Sequence, residues 1–257
     1  IKRREADGYV SYANISTGNF NESTAKLYAD DALFTSDQSI TEDVDRIFQL
    51  FEERYTQPEL NQLVISPFNQ RNFFMGLLDN EIENARQGKD AWAIIKLNNI
   101  TDQTITQKLY EASQAGVKLT LIVRSICVVV PGIEGVSNNI EAFSIVDRFL
   151  EHSRVLVFSN NNHPRYFITS ADWMPRNFDN RIETTCPVLD RDIQKELYTM
   201  LQIQMQDNKK ARIISRDNPN QYRKTSDEKQ IHSQVEIYNY LKKKHYKVEK
   251  RVQKEDI

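Results

Sequence analysis

Between residues 61 and 124 the chain alternates two hydrophobic periods, and no other feature restricts its fold as much. "QLVIS", "AWAIIKLN" and "VKLTLIVR" are short, nearly unbroken apolar runs, the pattern of strands covered on both faces. Between the first two, Phe74, Leu77, Leu78, Ile82 and Ala85 recur at helical spacing after Pro67 and stop at Gly88. A second helix is expected from Asp102 to Ala115, closed by Gly116. The order β-α-β-α-β predicts an α/β fold with a mixed, largely parallel sheet, helices on both faces, and ligands outside the carboxyl ends of the strands. Arg124 falls at such an end, and the Gly- and Pro-bearing "SICVVVPGIEGVSNN" follows it where a binding loop belongs. Strands at "AFSIV", "RVLVF", "RYFITS" and "RIETTCPVL", with a short helical turn through Arg148, complete the sheet, and a helix over about 191–206 packs on it.

Upstream, "YVSYANI" alternates like a half-buried strand. "IKRREADGYVSYANIS" reads as the back half of a hairpin whose first strand is missing, so the chain is expected to be a fragment or a processed piece. A helix begins near Ser39, where "SITE" fits a capping box, and carries Val44, Ile47, Phe48 and Phe51 on one face. The polar "TQPELNQ" then separates a partial first domain, 1–58, from a second, 59–212. Residues 213–257 hold an amphipathic helix, roughly Glu228 to Lys244, and a basic tail.

At 257 residues and 39% hydrophobic content the chain can bury a sizeable core. No stretch has the apolar length of a membrane span, and no signal-peptide pattern opens the sequence. Cys127 and Cys186 stand apart, without C-x-x-C or Cys/His runs, which indicates a reducing compartment and neither a disulfide framework nor a zinc site. A net charge of −2 hides an asymmetry: residues 212–257 carry 12 Lys/Arg against 7 Asp/Glu, and the rest 22 against 29. Such a tail attracts polyanions, while the body lacks the basic bias of a nucleic-acid binder.

The chain has four histidines. His152 lies two residues before Arg154 at a strand start, so the two side chains share a face. Next comes a repeated element. "YANISTGNFNES" and "YFITSADWMPRN" each run from a strand through a small hydroxyl residue and one small residue to Asn19 or Asp172, then an aromatic, Phe20 or Trp173. An imidazole, a guanidinium and an amide or carboxylate on neighbouring strand ends suit phosphoryl chemistry. They move a proton, neutralise equatorial oxygens and orient the ring. From spacing alone each also has a structural reading: a strand-start histidine, a sheet-capping Arg124, a packed Tyr28, and Asn19 and Asp172 satisfying local backbone donors. His163, His232 and His245 fall in loop or tail sequence and carry no assignment.

"YANISTGNFNESTAKLYADDALFTSDQSITEDV", "KLNNITDQTITQKLYEASQAGVKLTLIVRSIC", "SIVDRFLEHSRV" and "SADWMPRNFDNRIE" together resemble the C-terminal half of bacterial polyphosphate kinase, the long form related to phospholipase D. The resemblance covers nearly all of residues 9–212. It implies two phospholipase-D-like catalytic domains and reversible transfer of the terminal phosphate of ATP to inorganic polyphosphate through a phosphohistidine. Carried over by residue, the nucleotide-contacting tyrosine is Tyr28, the phosphate-binding arginine Arg124 and the second active-site histidine His152. Arg124 and His152 are the expected catalytic pair, with Asn19, Arg154 and Asp172 in support.

The phosphoacceptor would belong to a His-x-Lys strand upstream of this chain, as would the arginines that hold Mg²⁺, so no metal ligand is expected here. The implied partners are ATP, ADP and inorganic polyphosphate, with no nucleic acid. A homo-oligomer is expected for the intact enzyme, in a cytoplasmic setting with peripheral membrane association left open. Two positions depart from the family pattern: Asn14 stands where a histidine is usual, and Ser125 where a glycine is. Asn14 cannot shuttle a proton, though it can orient one. Two other readings stay open: a phospholipase-D-like phosphodiesterase and a non-catalytic polyphosphate-binding module. Diesterases of that superfamily carry His-x-Lys in both halves, whereas His152 is followed by Arg154.

Overall fold

A computed structural model of the chain describes residues 1–6, 8–52, 58–218, 220–224 and 229–255, those from 245 onward by backbone alone. The first stretch contains β1 (Lys2–Glu5), β2 (Gly8–Ser11), β3 (Ala13–Ser16), the single turn α1 (Glu22–Ala25), β4 (Tyr28–Ala29), β5 (Ala32–Thr35) and α2 (Gln38–Glu52). Then follow β6 (Val64–Ile65), α3 (Gln70–Arg86), β7 (Trp92–Leu97), α4 (Gln103–Gln114), β8 (Lys118–Val123), β9 (Ile140–Ile145), β10 (Leu150–Glu151), β11 (Val155–Phe158) and β12 (Arg165–Thr169). The chain closes with α5 (Pro175–Asp179), β13 (Thr184–Pro187), α6 (Arg191–Met205), β14 (Ala211–Ile213) and α7 (Ser233–Glu255).

Eight strands form one mixed sheet in the order β14-β9-β8-β7-β11-β12-β13-β6. The apolar runs are explained by its two faces. Alternate residues of each strand belong to opposite cores. Ile95, Leu97, Leu121, Val123, Leu156 and Phe158 pack under α3 and α4 with Phe74, Leu78 and Leu109. Ile94, Ile122, Val155 and Val157 pack with Ile40 and Ile47 of α2 and with Leu197 and Leu201 of α6. Full burial of each such side chain contributes about 1.5–3 kcal/mol. Some helix termini follow the sequence signals: Asp102 caps α4 through Ile105 N–H, and Gly88 and Gly116 take positive φ after α3 and α4. Two starts differ: α2 begins at Gln38, where Asp37 Oδ1 accepts from Ile40 N–H in place of a Ser39 capping box, and α3 begins at Gln70, beyond Pro67.

Several expectations require correction. The sheet is not largely parallel: only β7·β8 and β8·β9 are parallel neighbours, and the other five pairings are antiparallel. The reason is local. β11 and β12 are joined through Asn160, Asn161 and Asn162, all at positive φ, which folds them into a hairpin instead of a crossover. The "QLVIS" strand is only β6, at the far edge of the sheet, because α3 crosses the whole face before β7 begins. The hairpin thought to lack its first strand contains it: β1 pairs antiparallel with β2, Lys2 opposite Ser11. Arg148 sits in a bend, with no helical turn, and the segment goes on into β10, which pairs in parallel with β4. The boundary stretch 56–62 lies partly outside the described residues, as does the expected start of the last helix at Glu228; α7 begins at Ser233.

This topology decides where chemistry can occur. β7, β8, β9, β12 and β6 point the same way, so their carboxyl ends meet at one edge, where the antiparallel β11 begins. Asn98, Arg124, Asp172 and Arg154 therefore emerge side by side.

Candidate functional site

The elements flanking β10 bring the predicted residues together. His152 N–H and Ser153 N–H both donate to Ala29 C=O, at 3.0 and 2.8 Å, which ties the His152 segment to β4. Tyr28 lies beside the imidazole, with ring centroids 4.8 Å apart and planes tilted by 49°. His152 Nδ1 is 2.8 Å from Asp30 Oδ1 and 3.0 Å from Oδ2. Asp30 is itself oriented: Thr17 Oγ1 donates to its Oδ1 at 2.8 Å. Burial works against the Asp30 charge, but the hydrogen bonds from His152 and Thr17 and the nearby His152 and Arg154 charges hold the carboxyl below the usual carboxylate range. Gly18 makes this possible, because a Cβ there would stand 2.1 Å from Asp30 Oδ2. With Nδ1 committed to Asp30, Nε2 of His152 has no partner among the described residues.

Arg124 and His152 are linked through one amide. Asn98 Oδ1 accepts from Arg124 Nε at 3.1 Å, and Asn98 Nδ2 donates to His152 C=O at 3.3 Å. The two terminal nitrogens of Arg124 have no hydrogen-bond partner among the described residues. Burial lowers the guanidinium pKa and Arg154 adds to this, with Asp172 offsetting part. A half-buried cation with two free donors is a ready anion ligand.

Arg154 is different. Its Nε and Nη2 donate to Asp172 at 3.1 and 3.3 Å, and its Nη1 donates to Thr17 C=O at 2.7 Å and to His152 C=O at 3.1 Å. All three nitrogens are thus spent inside the protein, and the residue is 8% exposed. Asp172 is buried and also accepts from Asn98 N–H, Asn99 N–H and Asn99 Nδ2. The Arg154–Asp172 pair braces the strand ends that carry Asn98 and His152. Its repeat counterpart behaves otherwise: Asn19 is exposed and makes no side-chain hydrogen bond among the described residues, so the two copies are not equivalent. Asn14 is exposed on β3, and Ser125 is exposed without a positive φ, so replacing a glycine there strains nothing.

Behind the site lies a buried charged group. Lys96 Nζ donates to Glu151 Oε2 at 2.8 Å and to Ser153 Oγ at 2.5 Å, and Glu151 also accepts from Gln204 and Gln234. Burial opposes the Glu151 charge, but Lys96 and the two amides hold its carboxyl below the usual range. Burial pushes the neighbouring Asp31 up.

Sequence reasoning missed Asp30, Asn98, Thr17 and Lys96. Signals existed: Asn98 ends a strand of the parallel pair, Asp30 follows Tyr28 in "YADD", and Lys96 interrupts an apolar run. The sequence holds one His-x-Lys triplet, His245-Tyr246-Lys247, which lies on α7 with side chains outside the described ones. Magnesium is implied by the resemblance alone. No three His, Cys, Asp or Glu side chains converge among the described residues, and Asp30 and Asp172 are already engaged. No helix among them is long and apolar enough to cross a membrane.

Residues 63–234 match the family model for polyphosphate kinase C-terminal domain 2, and residues 1–57 match that for C-terminal domain 1. The polyphosphate kinase of Vibrio parahaemolyticus is 46% identical over all of this chain, which covers 37% of that protein. That of Escherichia coli K12 is 42% identical over 94% of the chain and 35% of its own length. The crystal structure of the Porphyromonas gingivalis polyphosphate kinase superposes with a TM-score of 0.88 at 42% identity, over 93% of this chain and 37% of that one. The chain thus spans little more than a third of the length of these relatives.

Proposed function

The chain belongs to the polyphosphate kinase family, and from that premise we propose that it is the C-terminal catalytic portion of an enzyme that moves the terminal phosphate of ATP reversibly onto inorganic polyphosphate. Residues 1–58 belong to one phospholipase-D-like domain, 59–212 form a second, and 213–257 are a basic C-terminal helix and tail. The enzyme is cytoplasmic and homo-oligomeric. The observation that carries the reading is the pairing of Arg124, whose two terminal nitrogens have no partner among the described residues, with an imidazole held by Asp30, while Asn98 bridges Arg124 Nε to the His152 carbonyl.

In the transfer, the bond from the γ-phosphorus to the β–γ bridging oxygen breaks. A nitrogen–phosphorus bond forms on an acceptor histidine outside this chain, and the oxygen leaves on ADP. A terminal polyphosphate oxygen then displaces that histidine. Arg124 neutralises equatorial oxygens while charge is spread over them. His152, with Nδ1–H held by Asp30, presents Nε2 to the leaving oxygen and gives it a proton. Tyr28 flanks the imidazole and offers a ring to the nucleotide. Arg154 and Asp172 hold the strand ends and touch no phosphate.

The test is polyphosphate synthesis from ATP by the full polypeptide that contains this chain. His152→Ala is expected to lose about 10²–10⁴-fold in kcat. Arg124→Ala should raise KM for ATP and lower kcat, with Arg124→Lys only partly restoring both, since an ammonium lacks the planar fork. Wild-type turnover by both alanine variants overturns the reading.

A further inference from the structure

The segment that delivers His152, residues 146–153, belongs to neither sheet face. On one side it is tied to β4. On the other it meets the first turn of α7. Gln234 Nε2 donates to Phe149 C=O at 2.9 Å while its Oε1 accepts from Phe149 N–H at 3.1 Å, so the side-chain amide pairs with the backbone as a neighbouring strand would. The same Nε2 reaches Glu151 Oε1 at 2.9 Å. Two residues earlier, just before α7, His232 bonds to Asp147, which also meets Lys210 at 3.4 Å. The grip has a fixed base: Ser233 N–H and Oγ donate to the buried Asp207, which ties α7 to the end of α6 through Lys209, Lys210 and Ala211 N–H. A half-open pocket of about 270 Å³ lies between this segment and α6 and α7, lined by Phe149 and Glu151 on one side and by Leu197, Leu201, Ile237 and Leu241 on the other. Hydrogen bonds set the distance.

We propose that Gln234 is a positioning residue: it holds the backbone of Phe149–Glu151 in register with β4, and so fixes where the His152 imidazole stands relative to Asp30 and Arg124. A two-residue ladder such as β10·β4 has too few bonds to fix a position by itself, and a misplacement of about 1 Å costs on the order of 10²-fold in turnover. The inference rests on the assignment of His152 to phosphoryl transfer made above.

The experiment is a double-mutant cycle in the full polypeptide, with turnover and thermal stability both measured. Gln234→Met keeps length and volume but cannot pair with Phe149; Gln234→Ala is the companion if packing matters. The expected result is a roughly tenfold fall in kcat for Gln234→Met at little-changed KM for ATP, and no further fall when it is added to His152→Ala. Unchanged kcat in Gln234→Met, or an equal fall in the His152→Ala background, overturns the proposal and leaves the His152 assignment standing. Wild-type turnover by His152→Ala alone overturns the assignment instead.

Discussion

Asp30 and His152 are 122 residues apart in the chain and 2.8 Å apart in space, and their contact leaves Nε2 as the imidazole nitrogen without a partner among the described residues. The carboxylate takes Nδ1 and orients the ring. Replacing Asp30 by Asn keeps the size and removes the charge. Turnover by the full polypeptide should fall about 10²-fold, with KM for ATP much less affected. A drop confined to KM contradicts the orienting role.

Gly18 gives an independent handle on the same contact. Alanine there requires the Asp30 carboxylate to move, since the new Cβ falls 2.3 Å from its Cγ. The side chain can swing into solvent, so stability should change by less than about 1 kcal/mol while turnover falls as far as in Asp30→Asn. An unchanged rate in Gly18→Ala shows that the carboxylate position is immaterial.

Lys96 is 5% exposed and holds Glu151. Lys96→Ala leaves a buried carboxylate unpaired and should cost about 3–5 kcal/mol in urea unfolding. The sign of the pH dependence follows from Glu151, whose folded pKa is depressed from 4.5. The unfolded state binds the proton more readily, so this stabilisation is complete above about pH 5 and fades as pH falls through the folded value. Asp31, raised by burial, acts in the opposite sense, which makes the Glu151→Gln comparison the informative one. That variant should be less stable at pH 7 yet lose less between pH 5 and 3; an acid limb as steep as the wild type's removes Glu151 from the explanation.

This chain alone, given γ-labelled ATP, should acquire no acid-labile histidine label. Its one His-x-Lys triplet, at His245, lies on helix α7, not on a strand end of the site. Label recovered on any of the four histidines, identified by peptide mapping, contradicts the placement of the acceptor outside the chain.

The chain's hydrophobic periods and capping chemistry are local properties, so the sequence made the covered strands, helices α3 and α4, the α4 cap and both glycine stops legible and put Arg124 and His152 at strand ends, while Tyr28 came from the family resemblance. The sequence could not decide strand neighbours. Whether a strand runs parallel or antiparallel to its neighbour depends on turns such as Asn160–Asn162 and on long-range pairing, neither of which leaves a period in the chain. Only the tertiary structure gave Asp30 to His152, joined Asn98 to both Arg124 and His152, and spent Arg154 on Asp172 instead of on a ligand. A side chain's role follows from which of its polar atoms remain unpaired after folding, and that remainder is fixed by partners 18 to 137 residues away.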